Sequence, residues 1–186
     1  MDQATDKRVQ RSREAVLATT HALLSEGGIG GVSMDEVSRR SGVSKTTIYR
    51  HWPSRSALLL SACATLGSSP DVPDTGSLKG DLEALVADLA AQLGAARWPA
   101  ILPSIIDAAE RDPELARLHA GLHAALMAPF LTVAERAGAR GDLPPRLAPA
   151  DLTAAVAGPL FYRRWFSKEP ISPEFRATII ARVLDG

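Results

Sequence analysis

One cysteine in 186 residues excludes an internal disulfide framework. No apolar run approaches the roughly 18 residues needed to span a bilayer. The N-terminus, MDQATDKRVQRSRE, lacks the apolar stretch of a secretory signal, so the expected location is the cytoplasm, away from any membrane. Aromatic residues are scarce at 5%, and no internal repeat or alternating strand pattern is visible. A formal net charge of zero argues at first against a nucleic-acid partner. What is present is a 46% apolar fraction, ample for a core, in a length that suits one compact domain, or a small domain continuous with a larger one.

The zero charge is unevenly spread. Residues 1–66 hold nine Lys/Arg against six Asp/Glu, whereas residues 67–186 hold twelve against fifteen. A basic N-terminal third on an acidic remainder is the asymmetry expected when one end meets DNA.

Nearly every segment has helical spacing. Val16, Thr20, Leu23 and Leu24 give a first helix one buried stripe, ended at Gly27-Gly28. The GGIGG stretch reads as a helix stop plus a turn; no strand precedes it and no dinucleotide fingerprint follows. Leu58, Leu59, Ala62, Cys63 and Leu66 form the stripe of a fourth helix, and GSSPDVPDTGS (67–77) is linker-like. Beyond it the spacing predicts helices from Leu78 to Leu93, from Trp98 to Asp112, and from Pro113 to about Gly138, the last disturbed at Pro129. After the loop 141–149 come two more: about 150–168, interrupted near Gly158-Pro159, and 173–185, capped by Ser172. The expected fold class is all-α, with about nine helices.

The stretch 33–55, SMDEVSRRSGVSKTTIYRHWPSR, is the most specific. Ser33 followed by Glu36 is a capping-box pattern, Gly42 supplies a turn, and Ser44 can cap the next helix. Val37, Val43 and Ile48 are spaced to meet in a small core. That leaves Lys45, Thr46, Thr47, Tyr49, Arg50 and His51 to face outward, as a recognition helix in a DNA major groove requires. The pattern is a helix-turn-helix, and the chain reads as a DNA-binding regulator.

Residues 9–66 resemble the N-terminal domain of the TetR family of bacterial transcriptional regulators. The match rests on the long first helix, the GVSMDEVSRRSGVSKTTIYRHWPSR core and the SRSALLL opening of the fourth helix. The resemblance implies a DNA-binding domain over 1–66 and a helical ligand-binding and dimerisation domain over 67–186. It further implies a homodimer, formed mainly through the last two helices, on a palindromic double-stranded DNA operator that a small-molecule effector releases. Half-sites would then lie about 34–36 Å apart or near a multiple of that.

Within this reading Lys45 and Thr46 contact a base edge or phosphate, while Thr47 and Tyr49 bind phosphate. Arg50 points to phosphate or to solvent. His51 matches the family histidine at the helix end and either donates to phosphate or packs. Trp52 packs between helices. Arg55 and Ser33, at helix starts, are further phosphate candidates; Arg39 and Arg40 are weaker ones.

In the C-terminal part, Phe161, Tyr162, Trp165 and Phe166 crowd four of the nine aromatics into six positions. With Trp98, Leu102, Ile106, Leu122, Leu126, His123, Met127 and Phe130 they would line an apolar pocket, unless they form core or dimer seam. The expected effector is hydrophobic or aromatic. Arg163 and Arg164 are either solvated or paired across the dimer. His119 and His123 have metal-ligand spacing but no third ligand in sequence, so no metal and no cofactor is expected. The rival is a DNA-binding regulator that senses a metal, an oxidant or a partner protein. No nucleophile, base and orienting group can be assembled, so an enzyme is not expected.

Overall fold

Side-chain oxygens start most of the helices. In the computed structural model, which describes residues 3–64, 72–95 and 98–185 (side chains from Lys7), nine α-helices and no strand occur among the described residues. They are α1 (Gln3–Gly27), α2 (Met34–Ser41), α3 (Lys45–His51), α4 (Arg55–Ala64), α5 (Leu78–Gly94), α6 (Trp98–Ala109), α7 (Pro113–Arg140), α8 (Pro149–Tyr162) and α9 (Pro173–Asp185). Ser33, Ser44, Ser54, Ser77 and Ser172 each accept a backbone N–H of the first turn at 3.1–3.3 Å, and Asp112 does so for α7 at 2.8 Å. Each bond satisfies a donor that the helix itself leaves without a partner. Leu66, the expected boundary at 66/67, linker residues 67–71 and the Trp98 side chain lie outside the described residues.

The chain divides into two compact units. The first holds the N-terminal helices together with residues 96–122, hence α6 and the start of α7; the second holds 69–95 and 123–186. In the first unit the buried set includes Val16, Leu23, Leu24, Val37, Ile48, Leu58 and Leu59 of α1–α4, and Ile101, Leu102 and Ile105 of α6. Thr20 is fully buried as well; its hydroxyl donates to the Val16 carbonyl at 2.8 Å, which makes a polar group tolerable on the apolar stripe.

In the second unit one cluster joins α5 (Leu78, Leu82, Leu85, Val86, Leu89, Leu93) to Met127, Phe130 and Val133 of α7, to Leu152, Val156 and Leu160 of α8, and to Ile179 and Ile180 of α9. Beside it Asp81 is fully buried. Its Oδ1 accepts the Thr75 N–H at 2.7 Å and the Thr75 hydroxyl at 2.8 Å, with the Arg140 guanidinium 3.7 Å from Oδ2. Burial pushes this carboxyl up, but the two Thr75 bonds and the charges of Arg136 and Arg140 outweigh it and hold the acid below its ordinary value. Segment 72–77 is thereby tied down at Thr75, and at Asp74 through Arg136 (3.3 Å).

Two expected disturbances fall differently. α7 continues through Pro129 to Arg140, and α8 continues through Gly158-Pro159 to Tyr162. The irregularity follows as a π-turn over Arg163–Ser167, ended by Lys168 at φ 60°. A proline removes its own N–H, so the ladder it weakens is only locally affected, and the wider turn closes the helix four residues later.

The GGIGG turn packs closely on α6. Gly28, at φ 59° and ψ −159°, lies in a region essentially reserved for glycine. A Cβ there would meet Ser104 Cβ of α6 at 2.8 Å, while Ser104 Oγ accepts the Ile29 N–H at 3.2 Å. Gly42 (φ 70°) has nothing within 4 Å of a Cβ. Gly42→Ala should therefore cost about 1–2 kcal/mol, the left-handed penalty alone, and Gly28→Ala distinctly more. Urea unfolding checks the pair; equal losses would mean that Ser104 yields freely.

Candidate nucleic-acid interface

α2, the turn and α3 are assembled by local chemistry. Ser33 Oγ accepts the Glu36 N–H, which is half of the capping box; the Glu36 carboxylate turns instead to Arg39 Nε (2.8 Å) and Arg40 Nε (2.6 Å). Gly42 takes the left-handed conformation and donates to the Ser38 carbonyl, and the Ser38 hydroxyl donates to the Val43 carbonyl at 2.8 Å. α3 is two turns long. Ile48 is its buried anchor at 0% exposure, and Trp52, 4% exposed, closes its end by donating to the Ile48 carbonyl.

With Ile48 inward, Lys45, Thr46, Tyr49 and Arg50 are exposed, and Thr47 and His51 are half-buried. The Thr47 hydroxyl lies 3.0 Å from Ser44 Oγ, so it shares the cap. His51 meets Trp52 edge-on, ring centroids 5.7 Å apart. Ser33 is exposed, with its hydroxyl engaged as the cap.

Most cations here already have intramolecular partners. Lys45 Nζ lies 2.5 Å from Asp35 Oδ1 of α2, and this bond raises the Lys45 pKa. Arg39 and Arg40 converge on Glu36, and Arg40 also reaches Glu26 at 2.7 Å. The side chain of Arg55 points into the protein: it donates to the Val32 carbonyl at 2.7 Å and to the Ile29 carbonyl, holding the turn before α2. Sequence spacing gave no signal for this, since the acceptors are backbone atoms 23 and 26 positions away.

The expected ligand-lining residues separate. Leu102 (buried) and Ile106 (exposed) belong to the first unit; His123 (exposed), Met127, Phe130, Phe161, Tyr162 and Trp165 belong to the second. Met127 and Phe130 are core, and Phe161 and Trp165 stack 5.6 Å apart against that core. A cleft of about 440 Å³ in the second unit is lined by Gly158, Pro159, Tyr162, Arg163, Glu169 and Phe175, so Tyr162 alone of the expected set borders it. Arg163 and Arg164 are bonded within the unit. Arg163 donates to the Pro170 carbonyl at 2.5 Å, lies 3.2 Å from Glu169 and sits 3.3 Å over the Phe175 ring. Arg164 donates to the Leu93 carbonyl at 3.0 Å.

Residues 16–62 match the family profile "Bacterial regulatory proteins, tetR family", and residues 72–183 match "Tetracyclin repressor-like, C-terminal domain". The chain belongs to the TetR family. It is a helix-turn-helix DNA-binding transcriptional regulator. TetR-family relatives span most of it. An uncharacterized HTH-type regulator, YdeS of Bacillus subtilis (strain 168), is 27% identical over 96% of this chain and 91% of its own. The DNA-binding transcriptional repressor TetR of Mycobacteroides abscessus is 34% identical over 69% of this chain and 68% of its own. Among solved structures, the TetR family regulator SCO0332 superposes with a TM-score of 0.71 at 29% identity, covering 94% of this chain and 97% of the other.

Two outcomes follow for this regulator's head. The bonds from Arg39, then Arg40, hold Glu36 at about 2, against 4.5 when free. A carboxylate with a lowered folded pKa stabilises fully above its unfolded value and loses that contribution as pH falls through the folded one. The stability gap between wild type and Glu36→Gln should thus stay constant from about pH 7 to 5 and close between 4.5 and 2 in thermal melts. A gap that does not change with pH would sink the ion-pair account. Separately, Asp35→Asn releases Lys45 and should raise DNA affinity severalfold at low salt, with the gain fading as salt screens exposed charge. Anisotropy titrations read this, and unchanged or weakened affinity would show that Asp35 does not compete with phosphate.

Proposed function

We propose that the protein is a homodimeric repressor, acting in the cytoplasm, that holds a palindromic operator through α3 and leaves it when a small, largely apolar effector binds. The observation that carries the DNA half is the polarity split of α3: Ile48 is buried while Lys45, Thr46, Tyr49 and Arg50 stand exposed on a helix fixed at both ends. Lys45 and Thr46 then reach base edges or phosphate, Thr47 and Tyr49 phosphate, with Arg50, His51 and the α2 start at Ser33 flanking them. Arg55 contributes by holding the turn, its guanidinium being committed to Val32 and Ile29. Repression is favoured by the Mycobacteroides relative, itself a repressor.

Dimerisation through α8 and α9 is supported by what those helices leave outside. Ala154, Gly158 and Tyr162 line an exposed stripe of α8, and Ala177 and Ala181 one of α9. Tyr162 (59% exposed) and Phe166 (77%) stack on each other at 5.8 Å. Large exposed aromatics beside small residues suit a self-complementary seam between two copies. The apolar wall of the neighbouring cleft, Pro159 and Phe175 with Tyr162 at its rim, favours an apolar or aromatic effector.

Oxidant sensing is disfavoured. Cys63 is 3% exposed, and burial pushes its thiol up to about 11, so little thiolate exists at neutral pH. Among the described residues, no three His, Cys, Asp or Glu side chains gather to hold a metal ion, and no helix is long and apolar enough to cross a membrane.

Purified protein incubated with fragmented genomic DNA from its source should retain one palindromic site, identified by sequencing. Sedimentation should give a dimer that Tyr162→Glu/Phe166→Glu converts to folded monomers. Folded protein that retains no site would reject the operator reading, and a monomeric wild type would reject the dimer.

A further inference from the structure

Three cations stand close together where α8 gives way to irregular backbone: Arg163, Arg164 and Lys168, with Glu169 the first acid after them. The backbone there is unusual twice over. Arg163–Ser167 form the π-turn, and Lys168, at φ 60°, is the one residue other than glycine with a positive φ among the described residues. A lysine in the left-handed region is strained, and wide helical turns recur at functional sites.

This turn borders two clefts of the second unit. Beside the cleft of about 440 Å³ lies another of about 330 Å³, with Arg163, Arg164 and Lys168 on one side and Ala90, Leu93 and Ile171 as its apolar wall. Arg163 and Glu169 line both, so their ion pair is the partition between them. The three cations are unequally engaged. Arg164 gives its Nε to the Leu93 carbonyl at the end of α5, and its two terminal nitrogens have no hydrogen-bond partner among the described residues. Lys168 Nζ reaches only the Arg164 carbonyl, at 3.4 Å, and has no acid partner among the described residues. Arg163 is fixed by the Pro170 carbonyl and by the Phe175 ring, which leaves its 3.2 Å contact with Glu169 open to exchange. Glu169 is 59% exposed, and an ion pair so close to solvent is weak. An incoming anion can replace that carboxylate without moving the guanidinium, so the site is preorganised.

We propose that the two clefts form one site for an amphipathic anion. Its apolar or aromatic body lies against Pro159 and Phe175, and a single anionic head, such as a carboxylate, takes the place of Glu169 among Arg163, Arg164 and Lys168. This rests on the effector reading above and adds a charge to it. Three cations against one acid favour an anion, and a guanidinium fork matches a planar carboxylate. Inorganic phosphate fits less well, because the apolar walls give a small hydrophilic ion nothing to bury. Glu169 then sets selectivity: a neutral molecule of the same shape gains nothing by displacing it.

The test titrates the full chain with two fluorescent probes: anilinonaphthalene sulfonate, and phenylnaphthylamine, which has the same aromatic body without the sulfonate. Wild type is compared with Lys168→Gln, Glu169→Gln and a remote control, Lys79→Gln, with folding verified by circular dichroism. Lys79 is exposed at the start of α5, about 21 Å along the helix from Leu93, and its loss changes net charge equally. Sulfonate affinity should fall about fivefold in Lys168→Gln and rise severalfold in Glu169→Gln, as removal of one partly exposed charge allows. It should not change in Lys79→Gln, and naphthylamine affinity should be the same in all four proteins. Sulfonate binding that is indifferent to Lys168→Gln and Glu169→Gln would overturn the proposal. So would an equal loss in Lys79→Gln, which would mean a diffuse field only, or a parallel loss of naphthylamine, which would mean a collapsed cleft. Wild type that binds the naphthylamine and not the sulfonate would overturn the anionic head while leaving the apolar effector cleft in place. Wild type that binds neither probe would overturn that cleft as an effector site, and this proposal with it.

Discussion

Burial of one side chain, Ile48, sets the orientation of everything the head can present. α3 has seven residues, too few to persist as an isolated helix in water. It exists because Ile48 is fully enclosed in the head and because both ends are closed, by Ser44 at the start and Trp52 at the finish. Once Ile48 points in, helical geometry leaves no choice about Lys45, Thr46 and Tyr49. The same constraint gives a two-turn element a fixed pose, held by packing at its centre and hydrogen bonds at its edges.

The elements that were legible in the sequence are those decided within four residues. Ser33, Gly42, Ser44 and Ser172 act where their local patterns place them, since a cap or a left-handed turn needs only its immediate neighbours. The helix count and the buried stripes of α1 and α5 follow from periodicity alone. Partners remote in sequence were not legible. Nothing around Arg55 signals that its guanidinium bonds carbonyls at Val32 and Ile29. Glu36 is a different case: Arg39 and Arg40 stand three and four residues on, a spacing that favours ion pairs, and its carboxylate could equally have served the cap. The aromatic cluster at 161–166 shows the same limit: side chains adjacent in sequence go to opposite ends, Phe161 and Trp165 against the core, Tyr162 and Phe166 to the outside. The irregularity expected at Pro159 appears at 163–167, because a proline's cost depends on whether the rest of the ladder can absorb it.

Charge in this protein is organised by pairing, and the zero total hides it. Arg39, Arg40 and Lys45 of the helix-turn-helix are internally neutralised by Glu36, Glu26 and Asp35, so a phosphate must displace a carboxylate to reach those three. In the second unit Asp81 anchors the opposite arrangement, a buried acid made tolerable by a hydroxyl, a backbone amide and two arginines. In both places an ionic group stabilises local geometry first; its long-range field is what remains after pairing.

The lone cysteine gives this chain an internal clock. Cys63 sits on the buried face of α4 with its thiol silenced by its surroundings, and the chain holds no second sulfhydryl to confuse a label. An alkylating reagent can reach it only when α4 leaves the head, so the alkylation rate reports how often the DNA-binding end opens. Slowing of that rate when DNA or an effector is added would count, in seconds, how firmly each one holds the head shut.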